Sequence, residues 1–345
     1  MLSAVAVGVQ VTMVLTLVGV SRGMLADMAN RSRGVGAEIV VRAPGSSLIG
    51  FSGNFSDKFV ELLRTQPHVT AVAGTLVQPI GGINSITGID LKTFNAVSGG
   101  FRFLEGGPFR QPNDLIVDDV YARGNSTHAG DIITLPNGKW RVVGVVESGK
   151  LSRMFADLTV LQDLSANNGK ITTAFLKLDD PANTASVIAE HKKKLPDNPI
   201  YSTEELVSLM SIDSIPMLKN FIWVVITLAV LIGFLVVFLS MYTAVLERTR
   251  EIGILKALGA TPAYVLGILL RETTLLAVIG SILGIIMTYG TKFLINTFVP
   301  SMAQVIVPDW WPRASAIAIG AALLGALYPG LKAARQDAIE ALAYD

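Results

Sequence analysis

The sequence predicts an α-helical membrane protein with four transmembrane helices and an extracytoplasmic α+β domain inserted between the first and second. Three observations carry this expectation. Residues 2–21, 220–246, 273–291 and 313–331 are each long and apolar enough to cross a bilayer, for which a helix needs roughly 20 residues. Residues 22–219, between the first two, mix β-branched with amphipathic segments. The chain of 345 residues is 51% hydrophobic and only 16% charged, against about 25% charged in soluble chains. A formal net charge of +1 gives no electrostatic case for nucleic acid as a partner. The absence of cysteine excludes disulfides, iron–sulfur clusters and thiol catalysis.

The first span, Leu2–Ser21, is uncharged. A secretory signal peptide is the rival reading, but it needs a basic start and an Ala-x-Ala site, and neither precedes Arg22. In the aqueous stretch Ser56 is placed to cap a helix with Phe59, Val60, Leu62 and Leu63 on its apolar side, stopped by Pro67. Residues 68–80 read as a strand. Ile132–Leu135 and Trp140–Val146 read as a hairpin across the turn Pro136-Asn137-Gly138-Lys139. Ala174–Leu178 is a further strand, and Asn183–Leu195 a helix with Val187, Ile188 and His191 on one side. Ser202–Leu218 is expected to form an amphipathic stalk, kinked at Pro216, leading into the second span.

Phe221–Leu246 carries no formal charge, and the run stops at Glu247-Arg248-Thr249-Arg250-Glu251. No breaker follows before Leu258, so one helix is expected to leave the membrane and continue into water. Gly259 suits the left-handed position that ends a helix. After Ala260, Thr261 is a good N-cap and Pro262 a good first helical residue. Ala263–Glu272 is then a short surface helix before the third span. Residues 247–272 thus read as an elbow suited to passing force to a partner, the rival reading being a solvated helical loop.

The third span holds Gly280-Ser281-Ile282-Leu283-Gly284. This spacing lets another helix approach Gly280 and Gly284 closely, within one chain or across a dimer. The loop 292–312 ends in Trp310 and Trp311, expected as interfacial anchors. The fourth span and the tail 332–345 complete the chain. Arg248, Arg250, Lys256 and Arg271 lie in the connection between spans two and three, and Lys332 and Arg335 follow span four. Basic residues in short loops mark the cytoplasmic side. By parity the N-terminus is inside and residues 22–219 outside. Arg22, Arg31 and Arg33 run against this, but a long loop is largely exempt from the rule.

Little chemistry is encoded. His68, His128 and His191 stand at no metal-ligand spacing. Gly138-Lys139, Gly149-Lys150 and Gly169-Lys170 lack the rest of a P-loop, so neither ATPase activity nor a cofactor or metal is expected in this chain. Asp118-Asp119 and Asp179-Asp180 suggest a hydrolase's paired carboxylates, but adjacent side chains on a strand point apart. Lys192-Lys193-Lys194 reads as a solvated helix end, with lipid headgroups as the alternative contact.

The segment ERTREIGILKALGATPAYVLGILLRE, residues 247–272, closely resembles the cytoplasmic elbow of the MacB/FtsX-like ABC transporter permeases, which include the LolC/LolE proteins. The C-terminal Tyr328, Pro329, Ala333, Ala334, Glu340, Ala341 and Leu342 resemble that family's ending, with Ala338 where the family commonly has proline. The resemblance implies that Glu247, Arg248, Arg250, Glu251, Lys256, Gly259, Ala260, Thr261, Pro262 and Tyr264 couple to a separate cytoplasmic ABC ATPase, which would hold ATP and Mg. It further implies a second permease copy or paralogue in a dimer, a periplasmic adaptor, contact with membrane lipid and a bacterial inner membrane. Export or extraction of a lipid, lipoprotein, peptide or drug is the implied activity. An FtsX-like regulator of a cell-wall hydrolase and a sensor without transport are the alternatives; an external domain of this size and a MacB-like hairpin favour export. Family members usually open with a basic amphipathic helix, so the natural N-terminus is expected to be longer.

Overall fold

The computed structural model describes residues 2–46, 53–81, 84–136 and 138–336. In chain order the elements are α1 (Leu2–Gly34), β1 (Ile39–Arg42), β2 (Phe55–Ser56), α2 (Lys58–Arg64), β3 (Val69–Gly81) and β4 (Asn84–Ile89). Next come α3 (Leu91–Ser98), β5 (Phe103–Gly106), β6 (Asp114–Asp118), α4 (Asp119–Asn125), β7 (Ile132–Leu135) and β8 (Gly138–Val146). Then follow β9 (Met154–Asp157), α5 (Leu158–Leu164), β10 (Lys170–Ile171), β11 (Thr173–Leu178), α6 (Thr184–Lys194), β12 (Ile200–Ser202) and α7 (Thr203–Ser208). The chain ends with α8 (Pro216–Glu247), α9 (Thr249–Ala257), α10 (Pro262–Phe298) and α11 (Trp311–Arg335). Two compact units result. A helical unit comprises the residues up to Gly23, Pro216–Thr297 and those from Gln304 onward; an α/β unit comprises Met24–Ile215 with Phe298–Ala303.

The α/β unit is built on one mixed sheet in the order β12-β1-β11-β3-β4-β9-β6-β8-β5, with β7 beside β8. The β4–β9 and β6–β8 pairs are parallel. Both faces are covered: Ile39 and Val41 pack with Leu63 of α2 and Val187 of α6, whereas Val40 packs with Phe94 and Val97 of α3. Strands buried on both faces read as continuous apolar runs instead of alternating ones, which is why β1, β6 and β9 carry no period-two signal. The expected strands at 68–80 and 174–178, the helix at 183–195 and the hairpin are present as β3, β11, α6 and β7–β8; Asn137 of the turn lies outside the described residues. Two expectations are corrected. Leu62 is 45% exposed, because at 100° per residue Phe59, Val60 and Leu63 share one face of α2 and Leu62 falls beside it. Ser202–Leu218 is not one stalk: Ser202 caps α7 through the Glu205 N–H at 3.0 Å, α7 ends at Ser208, and Pro216 opens α8 instead of kinking it. Proline suits that first position because the N–H it lacks has no helical partner there.

In the helical unit α1, α8, α10 and α11 are long and apolar enough to span a membrane. Small residues of α10 and α11 pack against larger aliphatic ones such as Val7 and Val11 of α1 and Val237 of α8. The buried face of α11 is Ala314, Ala318, Ala321, Ala322, Gly325, Ala326, Pro329, Gly330, Ala333 and Ala334. Gly280 and Gly284 face α1: a Cβ on either would lie 2.5 Å from a carbonyl oxygen, of Ala4 and Gly8 respectively. The Thr12 hydroxyl donates to the Gly284 carbonyl at 3.0 Å, and Thr16 pairs with Thr291 at 3.1 Å. The glycine pair therefore packs within one chain, with α1 parallel to α10. Ser3 bonds Ser240 at 2.7 Å and Gln10 lies against Gly233, so α1 is antiparallel to α8. Gly325 approaches Phe234 and Gly330 approaches Leu266, which makes α11 parallel to α8 and antiparallel to α10. The helices thus alternate in direction. The N-terminus of α1 lies at the same end as the α8–α10 connection, and Gly23 and Pro216 lie at the other.

The seam gives a direct test. Gly284→Val drives a side chain into the Gly8 carbonyl and Val11, an overpacking that costs about 1–3 kcal/mol. We expect a lower melting temperature for the detergent-solubilised chain. Gly290→Ala on the same helix, where a Cβ meets nothing within 4 Å, leaves it unchanged. Equal melting temperatures for both variants and the parent would remove the seam as a structural constraint.

Candidate functional site

The α8–α10 connection departs from the sequence expectation at two points. Helix α8 does not run to Leu258. It breaks at Arg248 (φ −102, ψ 13), and α9 begins at Thr249. The hydrogen-bond ladder survives the bend, from Arg248 N–H to the Ala244 carbonyl at 3.1 Å and from Ile252 N–H to the Arg248 carbonyl at 3.0 Å. The buried Thr249 hydroxyl donates to the Val245 carbonyl at 3.0 Å, a back-bond that bends helices. The second departure is that Ala263–Glu272 is not a separate helix but the first turns of α10, which runs unbroken for 37 residues. Nothing in this segment stops a helix. Thr273 and Thr274 bond back to the Leu269 and Leu270 carbonyls and so cap nothing. The short separate helix is α9, on the other side of Gly259.

The turn itself is as expected. Gly259 has φ +93, its N–H reaches the Lys256 carbonyl at 3.0 Å, and the Ala260 N–H reaches the Leu255 carbonyl at 3.0 Å. This pair of bonds is the Schellman termination, whose positive φ favours glycine. Thr261 accepts the Tyr264 N–H at its hydroxyl, 3.3 Å, and Pro262 opens α10.

The side chains divide by role. Glu247, Arg250, Glu251, Thr261, Pro262 and Tyr264 are exposed, and Gly259 and Ala260 form the bend between them. Arg248 Nη1 donates to both carboxylate oxygens of Glu272 at 3.1 Å, tying the end of α8 to α10. Sequence reasoning did not single out Glu272, because a pair 24 residues apart is set by the fold alone. Lys256 Nζ donates to the Ala334 carbonyl at 3.0 Å and to the Gln336 carbonyl. It caps the C-terminus of α11, where unpaired carbonyls attract a cation. Thr249, Ile252 and Gly253 are buried, whereas Ile254, Leu255 and Leu258 face out, Leu258 at 81% exposure. With Tyr264 they make an apolar surface amid charges. Behind it, Met241, Val245, Ile252, Val265 and Leu269 line a cleft that Arg248 and Glu272 also flank.

No group of side chains fit to hold a metal occurs among the described residues. The two aspartate pairs do not form carboxylate dyads. Asp118 ends β6 and caps α4 by accepting the Tyr121 N–H at 2.7 Å, while Asp119 accepts from Ser148 N–H and Arg123. Asp179 pairs with His68 at 3.0 Å, and Asp180 accepts the Ala182 N–H. Lys194 pairs with Glu190 at 2.9 Å. Arg313 stacks on the Trp310 ring at 5.6 Å. What the residues of the connection form is a turn braced by Arg248 to Glu272 and by Lys256 to the end of α11.

Comparison with known proteins gives two family matches, "MacB-like periplasmic core domain" over residues 1–194 and "FtsX-like permease C-terminal" over residues 223–338. The Escherichia coli macrolide export ATP-binding/permease protein MacB is 24% identical, covering 96% of this chain and 56% of that protein. The uncharacterized ABC transporter permease YknZ of Bacillus subtilis is 26% identical over 63% of this chain and 57% of its own length. The chain thus spans a little over half the length of these relatives. The periplasmic region of MacB from Actinobacillus actinomycetemcomitans aligns with 50% of this chain and 92% of that one, at 16% identity and a TM-score of 0.39. With one model matching residues 1–194 and the other 223–338, the chain belongs to the MacB/FtsX-type ABC transporter permease family.

Proposed function

We propose that the chain couples ATP hydrolysis by a separate cytoplasmic ATPase to export or extraction of a lipid, lipoprotein, peptide or drug at the outer face of a bacterial inner membrane. It works in a dimer with a second copy or a paralogue, with a periplasmic adaptor as a further partner. One observation supports this above the others: a capped, glycine-terminated elbow that presents Leu258, Leu255, Ile254 and Tyr264 outward at the start of an unbroken helix. At 1.5 Å per residue α10 is about 55 Å long, so a push on Pro262 reaches Phe298 without an intervening hinge. Exposed apolar groups ringed by charge suit a protein partner. The Escherichia coli relative's name joins ATP-binding to permease, which supports placing a nucleotide site in the same transporter.

The test is co-purification with a co-expressed cytoplasmic ABC ATPase subunit. Gly259→Val places a β-branched residue at a positive φ, at a cost of about 1–2 kcal/mol, and lets α9 continue past its stop. Leu258→Glu alters only an exposed side chain. We expect both variants to insert in the membrane and to lose the ATPase. Gly138→Ala in the external hairpin keeps it. Undiminished co-purification and ATP turnover with both elbow variants would show that the elbow is not the coupling element.

A further inference from the structure

A buried charge cluster in the α/β unit is used by nothing described above. Its centre is Arg153, at the end of the loop from β8 to β9, with its side chain 12% exposed. Arg153 Nη2 donates to Asp27 of α1 at 2.9 Å and to the Ser301 carbonyl at 3.3 Å. Its Nη1 donates to Asp118 at 3.3 Å. Asp27 also pairs with Arg31 at 3.1 Å. Two arginines and two carboxylates therefore balance in a space largely closed to water, where a removed partner costs more than the pair itself supplies.

The loop grips α1 by its backbone as well. Leu151 N–H donates to the Arg31 carbonyl at 2.9 Å, and the loop runs so close to the end of α1 that a Cβ on Gly34 would collide with the Gly149 carbonyl. Lys150 anchors the loop to the end of α3 by donating to the Ser98 carbonyl at 2.6 Å. One short loop thus holds the extension of α1, the connection that follows α10 and the C-terminal end of β6.

We propose that Arg153 is a proton-sensitive latch, holding the α1 extension and residues 298–303 to the sheet while Asp118 is ionised and loosening them when it is protonated. The groups facing Asp118 are Arg153 of the β8–β9 loop, Arg31 of α1 and Asp119 of α4; Asp27 faces Arg153 from α1. Burial pushes the Asp118 carboxyl up to about 6, against the Tyr121 N–H and the two arginines, which favour the anion. Protonation then leaves two guanidinium charges sharing one carboxylate, Asp27, and their repulsion favours release of Arg153 into water. The upward shift means that the folded unit gains stability as pH falls from about 6 toward the ordinary carboxylate range. Acid therefore opens this contact without unfolding the unit through Asp118.

The test is independent of any ATPase. The chain has no cysteine, so a nitroxide on Val299→Cys, which is 43% exposed, reports on the 298–303 connection in the full chain in nanodiscs. We expect an immobile line shape at neutral pH and loss of the immobile component on acidification, with a midpoint near 6. Asp118→Asn keeps the oxygen that caps α4 but no charge, and we expect it to give the mobile spectrum at every pH. Arg153→Met is expected to do the same, while a label on Lys92→Cys of α3 stays unchanged in all of them. A parent spectrum that does not change with pH, or an Arg153→Met spectrum as immobile as the parent at neutral pH, would overturn the latch.

Discussion

The close approach of α1 to α10 is the constraint on which the rest of the helical unit depends. In hydrocarbon no hydrophobic force draws helices together, so association rests on packing and interhelical hydrogen bonds. Glycine at 280 and 284 lets two backbones touch, and Thr12 converts that proximity into a hydrogen bond to the Gly284 carbonyl. Hydroxyls elsewhere along the spans, such as Ser281 and Thr288, bond to carbonyls of their own helix and are thereby satisfied without water. Because the seam is parallel, the start of α1 lies at the elbow end. The points where the chain leaves and re-enters the helical unit, at Gly23, Pro216, Thr297 and Gln304, lie at the opposite end.

The elbow then works by contrast with what surrounds it. Its turn is specified by backbone conformation at Gly259, its base is held by Arg248 to Glu272 and by Lys256 to the end of α11, and its outer face is left apolar. Two of the charged residues expected to meet a partner are thus engaged inside the helical unit, and Leu258 and its neighbours are left exposed.

How much of this was legible in the sequence follows from how local each feature is. The four spans, the hairpin around Gly138 and the turn at Gly259 to Pro262 are written in adjacent residues. The division into α9 and α10 was not, because Arg271 and Glu272 interrupt the apolar pattern, whereas a helix ends only where its backbone is stopped. Strands β1, β6 and β9 were hidden because helices cover both faces of the sheet. The Arg153 cluster was hidden because Asp27 lies 126 residues away and Ser301 lies 148 away.

The central claim is that residues 24–215 and the elbow occupy opposite faces of the membrane. Single cysteines at Ser126, exposed at the end of α4, and at Leu258, exposed on the elbow, report on it without background. The account predicts that a membrane-impermeant maleimide labels Ser126→Cys on intact spheroplasts and reaches Leu258→Cys only after permeabilisation. Equal labelling of both positions before permeabilisation would contradict it.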